Sequence, residues 1–222
     1  MVRKRGLFIV VEGLDGSGST TQCRMLKNFL DIKGIKSIVT KEPTNNLIGG
    51  LIRGVLTGDW QINPEGLQLL FSADRAHHLE KEIVPALGRG VTVICDRYMF
   101  STLAFGAVDC GMEWLKVLNQ KFLQPDIAFF LEVKPEECIR RISAGRDKFE
   151  LFENKEKLQK VLTNYKRLTE EYPNLHPING NRSKDEILRD IVKKVELYLD
   201  NEKLTEQEEK KAVIEDSFSF HH

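Results

Sequence analysis

A chain of 222 residues, 41% hydrophobic and 30% charged, is long enough to bury one well-formed α/β core and too short for two full domains. Its 33 basic residues balance 33 acidic ones, so the overall charge argues against a nucleic-acid or membrane-surface protein. Cys23, Cys95, Cys110 and Cys138 show neither C-x-x-C spacing nor the density of a disulfide framework, and are expected to be buried free thiols in a reducing compartment.

The first element is the apolar run Leu7-Phe8-Ile9-Val10-Val11, which reads as a buried parallel strand. Met1 to Gly6 before it is basic, but the run is too short for a signal-peptide core or a membrane span, so a cytosolic (cytoplasmic) enzyme with no membrane partner is expected. Next come Gly13-Leu14-Asp15-Gly16-Ser17-Gly18-Ser19-Thr20-Thr21-Gln22 and a helix marked by Leu26, Phe29 and Leu30. Strand, glycine loop, helix is the setting of a phosphate-binding loop, in which glycines let the backbone N–H groups turn inward and the helix adds its positive end. Gly13 and Gly18 keep the P-loop spacing and Thr20 keeps the hydroxyl that would hold Mg²⁺, but the lysine slot is Ser19. Taken alone, the loop fits a nucleotide site and a structural turn equally well.

Ser37-Ile38-Val39-Thr40 is a second strand, stopped at Lys41-Glu42-Pro43-Thr44 because proline cannot continue the ladder. A short helix carrying Arg53 is expected over 47–56, and a long one over 65–87, opened by Asn63-Pro64 and kinked or ended by Pro85. Val91-Thr92-Val93-Ile94-Cys95 runs as a strand into the charged tip Asp96-Arg97-Tyr98. Helices over 101–108 and 112–122, a core strand over 127–133 and a helix opened by Pro135 follow. Residues 143–155 read as a mobile charged lid, and the spacing of Leu158, Val161, Leu162, Tyr165 and Leu168 gives a helical face. A weak strand at 176–179 ends at Gly180, and Ser183 with Glu186 forms a capping box for a helix to about Leu199. The remainder, 201–222, is a charged extension in which His221 and His222 are more readily an appended remnant than a metal site.

Alternating strands and helices behind a glycine loop predict a doubly wound parallel sheet of five strands flanked by helices, as a single domain over 1–200 with the lid. Ligands of such sheets bind at the carboxyl ends of the strands, where Asp96 and Arg97 stand.

Three separated motifs strongly resemble thymidylate kinases in order and interval. They are Glu12 to Gly18 with Thr20-Thr21-Gln22, Leu70-Phe71-Ser72-Ala73-Asp74-Arg75, and Asp96-Arg97-Tyr98-Met99-Phe100-Ser101 with Ala104-Phe105. Gln124-Pro125-Asp126, Phe130-Leu131-Glu132 and Glu136 to Arg141 extend the likeness, which spans residues 6 to about 200. The resemblance implies a P-loop kinase fold, ATP and Mg²⁺ as donor and cofactor, dTMP as acceptor and a homodimer, with no nucleic-acid partner. It implies that Gly13, Leu14, Asp15, Gly16, Ser17, Gly18, Ser19, Thr20 and Thr21 cradle the ATP phosphates, with Thr20 and Asp96 at the metal. Arg97 would clamp the acceptor and transferred phosphates, and Asp15 would lie by the sugar 3′-hydroxyl. Phe71 would stack on the thymine and Arg75 hydrogen-bond its edge, while Ser101 and Phe105 line the deoxyribose and Pro43 and Arg53 wall the acceptor site. Tyr98 fits packing equally well.

Arg146, with Lys148 beside it, would close from the lid over the phosphates, with Arg140 or Arg141 nearer the adenine and Asn179 to Asn181 holding that base. On this reading lid cations compensate for Ser19. The alternatives are a catalytically inactive nucleotide binder and a deoxynucleoside kinase, whose neutral acceptor hydroxyl needs a general base that Glu12, in strand context, is poorly placed to be.

Overall fold

The strand expected at residues 7–11 runs Phe8–Gly13 (β1) and forms the middle of the sheet. The computed structural model describes residues 5–143 and 155–199. The other strands are β2 (Ser37–Lys41), β3 (Thr92–Asp96), β4 (Ile127–Glu132) and β5 (Leu175–Asn179), all parallel in the order β2-β3-β1-β4-β5. The helices in chain order are α1 (Ser19–Ile32), α2 (Leu47–Thr57), α3 (Pro64–His78), α4 (Val84–Gly88), α5 (Met99–Gly106), α6 (Met112–Asn119), α7 (Pro135–Ser143), α8 (Lys155–Glu171) and α9 (184–199).

Alternation along β1 explains why both faces of the sheet are covered. Phe8 and Val10 join a core with Leu103 of α5 and Leu158, Val161 and Tyr165 of α8, whereas Ile9 and Val11 join Leu26 and Leu30 of α1 and Ile187 and Ile191 of α9. On the first face the Phe130 and Tyr165 rings stack with centroids 4.5 Å apart. A third cluster, Ile52, Val55 and Leu67, joins α2 to α3 and leaves Phe71 half-buried beside it.

Register sets the functional edge. Val11 of β1 and Lys41 of β2 both pair with Asp96, so the glycine loop, the turn after β2 and the Asp96-Arg97 tip emerge at one level.

The structure corrects several expected boundaries. The long helix is divided by a π turn, Leu79–Ile83, in which the N–H of Val84 bonds the carbonyl of Leu79. This shift of the ladder accommodates Pro85, which opens α4 instead of ending the helix. The 101–108 helix begins at Met99, close behind the strand tip, and the 112–122 helix ends at Asn119. Cys23, Cys95 and Cys138 are buried free thiols, but Cys110, in the turn after α5, is only half-buried. The capping box is present: Ser183 N donates to Glu186 Oε2 at 3.1 Å and Glu186 N to Ser183 Oγ at 3.3 Å. Asn63 caps α3 by accepting from Gly66 N at 2.9 Å. Arg146, Lys148 and the extension 201–222 lie outside the described residues. No described helix is long and apolar enough to cross a membrane.

Candidate active site

The glycine loop turns because its backbone has little choice. Gly16 and Gly18 take φ values of 80° and 97°, and a Cβ on Gly13 would stand 2.4 Å from Ser17 Oγ. Ser17 N donates to Leu14 O at 3.0 Å, and the Leu14 side chain is buried in the core, so Leu14 can serve a ligand only through its backbone. Among the described residues no side chain caps the start of α1, and its first turn holds no acid, so the N–H groups there remain open to an anion. Ser19 is buried and brings no charge; Ser17 Oγ is buried without a partner. Thr21 faces outward on α1.

At the end of β3, Asp96 Oδ2 accepts from Thr20 Oγ1 at 2.5 Å, while Asp96 Oδ1 is buried with no partner. A hydroxyl and a carboxylate with an unused oxygen are hard ligands of the kind Mg²⁺ takes. No cluster of three or more His, Cys, Asp or Glu residues suited to a metal occurs among the described residues, so an ion here would draw its other ligands from phosphate and water.

Arg97 follows with φ of 68°, a left-handed backbone that an arginine adopts at a cost of about 1–2 kcal/mol. That turn brings its guanidinium to Asp15 Oδ1 at 2.6 Å and to Ser101 Oγ at 3.2 Å, with the Phe105 ring centroid 5.1 Å away. These groups border a cavity of about 370 Å³. Asp15, Thr20, Asp96 and Arg97 form its polar end, and Phe71, Arg75, Ser101 and Phe105 line the region between α3 and α5. Pro43, after a cis peptide bond, and Arg53 supply another wall; Arg53 Nη1 donates to Thr44 O.

Arg75 is only 1% exposed, although it lines the cavity. Its Nε and Nη2 reach Glu42 Oε2 at 2.9 and 2.7 Å, Nη1 donates to Asn119 Oδ1 at 2.5 Å and Nη2 to Thr102 Oγ1 at 3.1 Å. Glu42 Oε1 is also 3.1 Å from His78 Nδ1, and His78 Nε2 is 2.7 Å from Thr40 Oγ1. The expected reader of the base edge is therefore also the hub of a buried network, with most of its donors already engaged. Tyr98 is fully buried and its hydroxyl donates to Leu123 O at 3.0 Å, a packing role, although its edge also borders the cavity.

A family model described as thymidylate kinase matches residues 11–191. The chain belongs to the thymidylate kinase family. It is 40% identical over 195 residues to a probable thymidylate kinase of Pyrococcus abyssi, covering 85% of this chain and 95% of that one. A thymidylate kinase of Desulfotalea psychrophila is 37% identical over 201 residues, covering 90% and 98% respectively.

Among the residues expected on the donor side of this family member, Arg140 extends into solvent, 71% exposed, with Nε 2.8 Å from Glu137 Oε2. Arg141 is the one that touches the loop: Nη1 donates to Ser17 O at 3.1 Å and Nη2 to Gly180 O at 3.2 Å. Asn179 Oδ1 accepts from Asn181 N at 3.0 Å, shaping the turn beyond β5. Lys41, Glu42, Gln68 and Thr102, which the motifs do not single out, also line the cavity. Gln68 and Thr102 had a usable signal, being one helical turn before Phe71 and next to Ser101. Glu42 had none, because a polar residue beside Pro43 reads as ordinary turn chemistry.

Proposed function

We propose that this chain transfers the γ-phosphoryl group of ATP to the 5′-phosphate of dTMP, giving dTDP and ADP. The observation that carries the proposal is the cavity itself, with the Arg97 and Asp15 pair at the glycine-loop end and Phe71 and Arg75 on its α3 wall. Joining two polyanions is mainly a problem of alignment and charge neutralisation. Arg97 can fork across oxygens of the acceptor phosphate and the transferred group, exchanging its contact with Asp15 for the substrate. Asp15, released, accepts from the sugar 3′-hydroxyl. Phe71 stacks on the thymine, a remaining Arg75 N–H serves a carbonyl of the base, and Phe105 crowds the 2′ position. Backbone N–H groups of the loop hold the donor phosphates, and Arg141 steadies the loop against the turn after β5, where the adenine is received. Thr20 and Asp96 would hold Mg²⁺, which when bound neutralises phosphate charge.

In this reading Arg146 supplies from a lid over 143–155 the cation that Ser19 does not, within a single kinase domain of residues 1–200. Leu69 on α3 and Trp114 and Val117 on α6 are exposed apolar side chains, which supports a homodimer through these helices. A cytoplasmic enzyme fits the free thiols. Glu12 is buried and takes bonds from Tyr98, Ser101 and Tyr165, so it is occupied as a base for a neutral hydroxyl, which counts against a deoxynucleoside kinase.

The test is an ADP-release assay with Mg-ATP and a panel of dTMP, dUMP, thymidine and other monophosphates, run beside Arg97→Ala and Arg146→Ala. Turnover with dTMP, lost in Arg97→Ala and reduced in Arg146→Ala, is expected. Nucleotide binding without turnover would replace this reading with an inactive binder, and preference for thymidine with a deoxynucleoside kinase.

A further inference from the structure

Glu12, fully buried one residue before the glycine loop, is given no step in the transfer just described. Its Oε1 accepts from the backbone N–H groups of Tyr98 at 2.9 Å and Ser101 at 3.2 Å. Its Oε2 accepts from Ser101 Oγ at 2.6 Å and Tyr165 Oη at 2.8 Å. The same Ser101 oxygen accepts from Arg97 Nη1 at 3.2 Å and lies 3.0 Å from Tyr165 Oη. One carboxylate thus joins β1, the turn after β3, α5 and α8 around the arginine. A buried anion is costly to retain where a neutral amide of the same shape would fill the space, unless the charge is used.

We propose that Glu12 is a positioning residue for phosphoryl transfer, its ionised carboxylate orienting the Ser101 hydroxyl so that Ser101 holds the Arg97 guanidinium in place. The inference rests on the kinase reading given above. With Glu12 ionised, Ser101 donates its only hydroxyl proton to Oε2 and its lone pairs are left for Arg97. With Glu12 protonated on Oε2, that O–H must itself find an acceptor, and Ser101 and Tyr165 are the ones in reach. The serine lone pairs are then contested, and Arg97 loses the nearby negative charge as well.

The groups facing this carboxylate are Arg97 and Tyr98 from the turn, Ser101 from α5 and Tyr165 from α8; the Cys23 and Cys95 thiols of α1 and β3 also feel its charge. Burial raises the Glu12 carboxyl from 4.5 to about 7, against the opposing pull of its hydrogen bonds and of Arg97. The exchange between the two arrangements therefore falls in the range where activity is ordinarily measured.

The test compares wild type, Glu12→Gln, Ser101→Ala and the double variant from pH 5.5 to 9, following kcat, KM for each nucleotide and the side-chain ¹⁵N resonances of Arg97. Wild type should gain activity as pH rises through neutrality, with the Arg97 resonance moving over the same range. Glu12→Gln should lose about 10- to 100-fold in kcat at pH 8 with KM for ATP unchanged, and lose both pH responses. The double variant should be no worse than the poorer single variant. Additive losses, or an Arg97 resonance that still titrates near neutrality in Glu12→Gln, would overturn the proposal. If Glu12→Gln does not fold, Ser101→Ala decides: an Arg97 titration unchanged from wild type refutes the link. If wild type does not phosphorylate dTMP, the kinase reading fails, while the Arg97 titration still tests the linkage.

Discussion

Replacing Glu42 by glutamine keeps the shape of a buried side chain and removes the anion beside Arg75. Glu42 is 5% exposed and Arg75 1%, and the carboxylate lies 2.7 Å from Arg75 Nη2. The guanidinium cannot shed its proton, so the variant leaves a buried cation held by the neutral acceptors Asn119 and Thr102 and by the faces of Tyr98 and Phe122, 5.0 and 5.8 Å away. Breaking one half of a buried ion pair costs about 3–5 kcal/mol, and the remaining neutral partners and rings place this case near the lower end. Against a typical total of about 5–15 kcal/mol, a loss of about 3 kcal/mol lowers the melting temperature of a chain this size by roughly 6–12 °C. Thermal and urea unfolding of wild type and Glu42→Gln at one pH measure it, and KM for dTMP should rise because Arg75 loses its anchor. A destabilisation below about 1 kcal/mol would refute the reasoning, since the Arg75 charge would then be solvated through the cavity and not carried by Glu42.

Stability should also depend on Glu12. The folded chain holds that proton up to about pH 7 and the unfolded chain only to 4.5, so stability falls as pH rises through this window, by about 3 kcal/mol in all. Urea titrations at pH 5 and pH 8 should show this slope in wild type and its loss in Glu12→Gln. Ser19→Lys restores an ammonium at the loop and should tighten ATP binding about tenfold in calorimetry. Arg141→Ala should raise KM for ATP several-fold and Arg140→Ala leave it unchanged, because of the two it is Arg141 that touches the glycine loop, while Arg140 pairs with Glu137 in solvent. Gln68→Leu should stabilise the free protein by about 1–3 kcal/mol in urea unfolding, since Gln68 Oε1 is buried without a partner.

The three central strands β1, β3 and β4 were legible as short, buried apolar runs bounded by turn residues, whereas the edge strands β2 and β5, with polar residues and Pro177, gave weaker signals. The lining of the cavity was legible through the family resemblance, and spacing supplied only the local part: Phe71 with Arg75, and Arg97 with Ser101 and Phe105, are neighbours on one helical face or turn and line one cavity. What eluded the sequence is long-range pairing. Nothing near Arg75 announces that Glu42, 33 positions away, will neutralise it, and nothing near Glu12 announces Tyr165, 153 positions away. The π turn was missed for a local reason: helical periodicity continues through Leu79 and Ile83, and the extra residue in the hydrogen-bonded ring leaves no mark on composition.

The pairing of Val11 with Asp96 has a consequence for how this chain can vary. The two strands that carry the glycine loop and Arg97 lie side by side, so the spacing of the two halves of the cleft is fixed by main-chain geometry. Lengthening the surface connections would leave that spacing intact, whereas slipping either strand by a single residue would turn every side chain on it to the opposite face and separate Thr20 from Asp96.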